Sequence, residues 1–478
     1  MRAGLAYQAI LLAGGDDKRL HPLTSGMLKA LLPVANRPLI SYALKSLADA
    51  GLKHTFVVVS GERPAASIQA WVQQEYSGPD KMQCEVICVA EDYGTADALR
   101  ACASKVTAKT CVVLSGDLLT DLPVNALVAS HQMNQALATV LLYPRKVSPV
   151  TETKPGKAPK NVDYIGLDPS RQHLLFYASS PDTLRDLKLP LSAVRRHGSM
   201  SIASDLADAH LYVLDRSVLD LLHSRPELSS LRQDLLPCLT QQQPQLRPTN
   251  PGEGLDGSGQ QGLGATSERG AGAEGPASET DNDNNSESRL ALTPSLPGAD
   301  FMQHSHVALR QQGQLHSTLR VHIVQPGVNY CARVADPSSY ADVNREVADP
   351  NMALHLSGLR PSKLHDNVVP ASTVLGNKTT IAAGCVLGEG CTLGDKASIK
   401  RSVLGANCRL GANVKVINSV LQDGVVIGDG VTLQNTVCCQ GASVKERTSL
   451  KDCQVGMGFT VPAGQELKGE VLVKAKPS

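Results

Sequence analysis

Two short segments carry the side chains best placed to hold a charged ligand. One is Gly14-Gly15 followed by Asp16, Asp17, Lys18 and Arg19, with Lys29 further on. The other is SGDLLTD at residues 115–121, which contains Asp117. Each follows a short apolar run, YQAILLA at residues 7–13 and CVVL at residues 111–114, that reads as a buried strand. Ligands of parallel α/β sheets sit just past the carboxyl ends of the strands, which is where both segments fall. A phosphate brought to the first turn would meet the carboxylates of Asp16 and Asp17. One such charge at ~5 Å costs roughly 3 kcal/mol at an effective dielectric of ~20, and Lys18 offsets only part of that.

The elements around these segments alternate. Residues 38–50 read as a helix with Ile40, Leu44 and Leu47 on one face and Gly51 as its stop. A strand is expected at 55–60, a helix at 67–75, a strand at 85–89, a helix at 96–105 and a strand at 111–114. That order predicts a mostly parallel sheet with helices on both faces, a Rossmann-like α/β domain over residues 1–240. Residues 241–300 are rich in Gly, Ser, Asn, Gln and Glu and poor in branched apolar residues, so a disordered low-complexity linker is expected there. Residues 301–350 are read as closing strands of the α/β domain, at 319–324 and 330–334.

A repeat fills residues 361–470. Apolar residues step by six through Leu375, Ile381, Leu387, Leu393 and Ile399. From Leu404 the steps run six, six, five, so that Leu404, Leu421, Cys438 and Val455 lie 17 apart. Three short strands per coil, each burying one inward residue, would stack into a parallel β-helix.

Composition narrows the function classes. Lys+Arg is 46 against Asp+Glu 45 and aromatics are 3 %, which argues against direct nucleic-acid or membrane binding. The 12 cysteines show no CxxC spacing for zinc and read as small buried residues of a cytosolic chain. No run approaches the ~20 apolar residues of a membrane span. His210 and His322 lie in strand-like runs and are read as satisfied core or edge residues. No histidine follows His365, so the repeat lacks the base that a hexapeptide acyltransferase needs.

The stretch LLAGGDDKRLHPLTSGMLKALLPVANRPL, residues 11–39, resembles the sugar-nucleotide pyrophosphorylase signature. The resemblance implies that Gly14 and Gly15 close on nucleotide phosphates and that Arg19 and Lys29 neutralise pyrophosphate. It further implies that Gly94 and Thr95 form a turn near the base and sugar, and that Asp117 and Asp208 face a metal. Two departures weaken this. Asp16, Asp17 and Lys18 replace the family's glycine-threonine step, and Leu28 replaces the proline before the lysine. The pocket is therefore expected to be vestigial and catalysis absent, with at most residual binding of GTP or GDP and magnesium.

Further blocks narrow the resemblance. They are GTADALR (94–100), SGDLLTD (115–121), DYIGLD (163–168) followed by LLFYAS, DAHLYVLD (208–215), SLRQDLLPCL (230–239), VHI, YCARV (330–334) and NR up to Arg345, and SIKRSVLGANC (398–408). With them the chain is similar to the gamma-subunit family of translation initiation factor 2B. The repeat's resemblance to hexapeptide-repeat proteins implies a left-handed β-helix, and the likeness to the gamma-subunit family implies a structural or regulatory role. The implied partners are an epsilon subunit, the alpha, beta and delta subunits of a decamer, and initiation factor 2, on which the assembly exchanges GDP for GTP. The competing expectation is an active sugar-1-phosphate nucleotidyltransferase of the mannose-1-phosphate guanylyltransferase kind, using Arg19, Lys29 and magnesium on Asp117.

Overall fold

The computed structural model describes residues 7–15, 17–76, 78, 81–145, 162–179, 189, 198–242, 318–360, 362 and 366–474. The expected linker, apart from Gln241 and Gln242 at the end of a helix, lies outside them.

The first segment folds as β1 (Tyr7–Leu12), a small hairpin of β2 (Pro33–Val34) and β3 (Arg37–Pro38), and α1 (Leu39–Asp49). Helix α1 buries Ile40, Ala43, Leu44 and Leu47, the stripe its spacing predicts, and Gly51 ends it at φ 81°. Then follow β4 (His54–Ser60), α2 (Glu62–Glu75), β5 (Gln83–Val89), α3 (Thr95–Cys102), β6 (Thr110–Ser115), β7 (Leu118–Thr120), α4 (Val124–Met133) and β8 (Ala138–Pro144). Helix α2 starts five residues before the expected Ser67, because Pro64 sits in its first turn, where no N–H is needed. The domain is completed by β9 (Asp163–Leu167), β10 (Leu174–Ser179), β11 (Ser201–Ala203), β12 (Leu206–Asp215), β13 (Leu319–Ile323) and β14 (Cys331–Arg333).

Seven strands make the main sheet in the order β13-β8-β12-β6-β1-β4-β5. All run parallel except β12, which pairs antiparallel with both β6 and β8. Residues 301–350 hold more than closing strands: after β13 and β14 comes the helix Pro337–Val347, whose start is capped by Asp336 accepting from Ser339 N at 2.8 Å.

Residues 374–472 form three six-stranded parallel sheets, one per side of a β-helix. Leu387, Leu404, Leu421, Cys438, Val455 and Leu472 stack in register, as do Leu393, Leu410, Ile427, Val444 and Val461. The sixfold ladder is thus the core. One exception lies at its start: Leu375, expected inward, is 51 % exposed in the first coil described, which has a neighbour on one side only. Gly388, which follows the inward Leu387, meets a steric need. A Cβ there would lie 2.5 Å from Ala406 N of the next coil.

The outer face of one β-helix side is buried as well. Val386, Val403, Val420 and Val437 pack with Leu20, Leu23, Leu32, Val34 and Tyr340 in a single apolar cluster. The Asn36 side chain donates to Leu404 O at 2.8 Å, and an Arg345 side-chain N–H donates to Asn418 O at 3.1 Å. The α/β domain and the β-helix therefore share a core.

Candidate functional site

The ends of β1, β4 and β6 come together as the parallel order requires. Ala13 N donates to Val58 O and Gly116 N to Leu12 O, both at 2.8 Å. A Cβ on Gly14 would fall 2.6 Å from Ser60 Oγ and 3.0 Å from Ser60 N, so strand packing alone already demands this glycine. Gly15, at φ 146°, is exposed. Asp16 and the side chain of Asp17 lie outside the described residues. Arg19 sits exposed on the one-turn 3-10 helix Asp17–Leu20, while Leu20 is buried in the shared core.

Lys29 begins a second 3-10 turn and reaches Asp117, with Nζ 2.5 Å from Oδ2. Asp117 is 3 % exposed. Its other partner lies in the YCARV block, residues 330–334, where no site residue was expected. Arg333 of β14 donates from Nε to Asp117 Oδ1 at 3.0 Å and from a terminal nitrogen to Oδ2 at 2.8 Å, a bidentate pair. Burial pushes the Asp117 carboxyl up, but Arg333 and Lys29 outweigh it and hold it well below the usual carboxylate range.

Asp208 lies next to this pair on β12, where the register shifts between Asp208 and Tyr212. Both of its oxygens are used: Oδ1 accepts from His210 N at 2.8 Å, and Oδ2 accepts from the Tyr212 hydroxyl. Burial dominates here and pushes its pKa up to about 6, against the pull of those two hydrogen bonds and of Arg333. His210 is not the satisfied strand residue expected. It stands on the bulge at φ 54°, with Nε2 3.8 Å from Asp208 Oδ2 and without a hydrogen-bond partner among the described residues. Burial, reinforced by Arg333, holds the imidazole well below its ordinary pKa, so it is neutral.

The turn at Gly94-Thr95 is set apart from this cluster and is engaged within the chain. The Gly94 N–H donates to Asp97 Oδ2 at 2.9 Å, and Ala96 N donates to Ser229 O at 2.8 Å. The Thr95 hydroxyl accepts from Leu231 N at 2.9 Å. A Cβ at Gly94 would lie 2.3 Å from Ser229 O. The segment SSLRQD, residues 229–234, thus covers the start of α3. The spacing of the motif carried no sign of it.

These contacts bear on the metal and phosphate expected here. Two carboxylates, Asp117 and Asp208, face two fixed cations, Lys29 and Arg333, and all four carboxylate oxygens accept donors from this chain. A magnesium ion takes oxygen ligands, and here both Asp117 oxygens are already held by cationic donors while each Asp208 oxygen accepts a hydrogen bond. The residues do not fit a magnesium ion. Among the described residues no group of three or more His, Cys, Asp or Glu is arranged for a metal. Two cavities, of about 220 and 320 Å³, lie elsewhere, around Thr120 and Asn125 and around Tyr143 and Val328. Among the described residues no helix is long and apolar enough to cross a membrane.

Comparison with known proteins gives the geometry a context. Residues 8–153 match the family model described as nucleotidyl transferase, and residues 365–467 match the LbH (left-handed β-helix) domain of the eIF2B epsilon subunit. The chain is 26 % identical over 418 residues to translation initiation factor eIF2B subunit gamma of Dictyostelium discoideum, covering 83 % of this chain and 87 % of that one. It is 30 % identical to the Schizosaccharomyces pombe gamma subunit over 242 residues, 49 % of this chain and 51 % of that one. It is also 25 % identical over 244 residues to the catalytic subunit beta of mannose-1-phosphate guanylyltransferase from Drosophila pseudoobscura pseudoobscura, 50 % of this chain and 56 % of that one.

Proposed function

We infer that this chain, a member of the gamma-subunit family of translation initiation factor eIF2B, serves as a non-catalytic subunit of that guanine nucleotide exchange factor. In this reading it pairs with an epsilon subunit and takes its place beside alpha, beta and delta subunits in the cytosol. The assembly exchanges GDP for GTP on initiation factor 2, and this chain supplies structure rather than chemistry.

One observation carries the non-catalytic part. Asp117, the carboxylate a nucleotidyltransferase would turn toward metal and phosphate, is held bidentate by Arg333 and closed by Lys29. The hydrogen-bond donors at the Gly94-Thr95 turn are committed to Asp97 and Ser229 in the same way. A site of this kind lacks the open donors aimed at developing charge on which phosphoryl chemistry relies. The β-helix, built on one continuous core and joined to the α/β domain by another, is a rigid surface suited to holding a partner chain.

The alternative, a sugar-1-phosphate nucleotidyltransferase, draws on Lys29 and Asp117 being in contact, the arrangement that chemistry would retain. The Arg333 pair weighs against it. The test of the assembly is affinity purification of the tagged chain from a cell lysate. Recovery of an epsilon subunit in equal amount, with the other three subunits, is the expected result. A chain that purifies without epsilon, and stays monomeric when mixed with it, overturns the reading.

A further inference from the structure

We propose that Arg333 is a built-in cation that takes the place of a divalent metal at Asp117 and makes this centre independent of metal.

The guanidinium covers both Asp117 oxygens, and Lys29 adds a second contact to Oδ2. Its position is fixed by backbone as well as charge. Strand β14 pairs antiparallel with β7, with Arg333 opposite Leu118, and Val334 N donates to the Asp117 carbonyl at 3.1 Å. The strand that carries the arginine is thus bonded to the residue that the arginine neutralises. Charge and coordination are therefore closed within the chain. An incoming metal would add two positive charges to a balanced group and would have to displace a bidentate pair.

A second consequence is architectural. Arg333 lies beyond residues 243–317, so the pair ties the last strand of the α/β domain to the loop after β6. A metal held by Asp117 and Asp208 would tie the loop to β12 instead. The proposal shares its residues with the reading above but not its fate, because a failed co-purification leaves it untouched.

The test uses Mn2+ as probe on the full chain, followed by electron paramagnetic resonance and by the thermal unfolding midpoint. Wild type is expected to show no site that Asp117→Asn removes, and no Mn2+-dependent rise in midpoint. Arg333→Met is expected to unfold earlier and to gain Mn2+ affinity by about tenfold or more through Asp117, since the guanidinium no longer competes for both oxygens. An Asp117-dependent Mn2+ site in wild type overturns the proposal, as does a folded Arg333→Met chain that is no more responsive than wild type. Should Arg333→Met fail to fold, the wild-type and Asp117→Asn arms decide alone: a Mn2+ site lost with Asp117 sinks the proposal, and no such site supports it.

Discussion

The Asn36 side chain donates a 2.8 Å hydrogen bond to the carbonyl of Leu404, joining the pyrophosphorylase-like signature directly to the β-helix. Ala35, its neighbour, donates its N–H to Asn344 Oδ1 at 2.9 Å, and both signature residues sit at positive φ, 45° and 63°. This part of the signature is thus a joint. Tyr340 completes it: its hydroxyl donates to Pro33 O at 2.7 Å and accepts from Gln422 Nε2 at 3.2 Å. Tyr340→Phe should therefore destabilise the chain by about 1–3 kcal/mol, the cost of leaving buried partners unsatisfied. Urea unfolding followed by circular dichroism measures this, and an unchanged midpoint would place the joint elsewhere.

The pair of Asp117 and Arg333 yields a stability cycle. Asp117→Asn leaves a buried guanidinium without its counter-ion and is expected to cost about 3–5 kcal/mol. The double variant Asp117→Asn/Arg333→Met should lose clearly less than the sum of the two single changes, since the groups are in contact. Additive losses would mean that the two residues do not act together.

Asp208 gives the chain a pH dependence of unusual sign. Its folded pKa, about 6, lies above the ordinary 3.8, so between those values the folded chain binds more protons than the unfolded one. Stability from this group therefore falls as pH rises from about 4 through about 6, by up to roughly 3 kcal/mol for a shift of two units. Asp117 acts in the opposite sense: its contribution is present above about 4 and is lost as pH falls further. Unfolding free energies at about pH 4.5 and about pH 7 should differ between wild type and Asp208→Asn, with the variant lacking the decline. Parallel pH curves would contradict the buried carboxyl.

Within the β-helix, Gly388→Ala should cost about 1–3 kcal/mol, because its Cβ would press on the backbone of the next coil. Gly424→Ala meets no atom within 4 Å and is limited to the backbone strain of φ 68°, about 1–2 kcal/mol. Combining Gly388→Ala with shortening of Leu404, the residue whose carbonyl accepts from Gly388 N, to Ala should be non-additive, since both act at one coil contact.

What could be read from the sequence depended on how local the physics was. The inward ladder from Leu387 to Val461 was legible because each residue repeats the demand of its neighbour, five or six positions apart. The strands ending at Leu12 and Ser115 were legible as short apolar runs. Arg333 was not. It lies 216 residues from Asp117, beyond a low-complexity stretch, and only the antiparallel pairing of β14 with β7 brings the two together. The closure of Gly94-Thr95 by Ser229 and Leu231 was hidden for the same reason. The exposure of Leu375 was missed because a period does not say which coil is first.

The most direct measurement is pyrophosphate release by the purified full chain given GTP or ATP, a hexose 1-phosphate and Mg2+. The account predicts no release above a protein-free control, and the same result for Asp117→Asn. Sustained release that disappears in Asp117→Asn would show that Arg333 leaves the carboxylate free to work, and the chain would then be an enzyme.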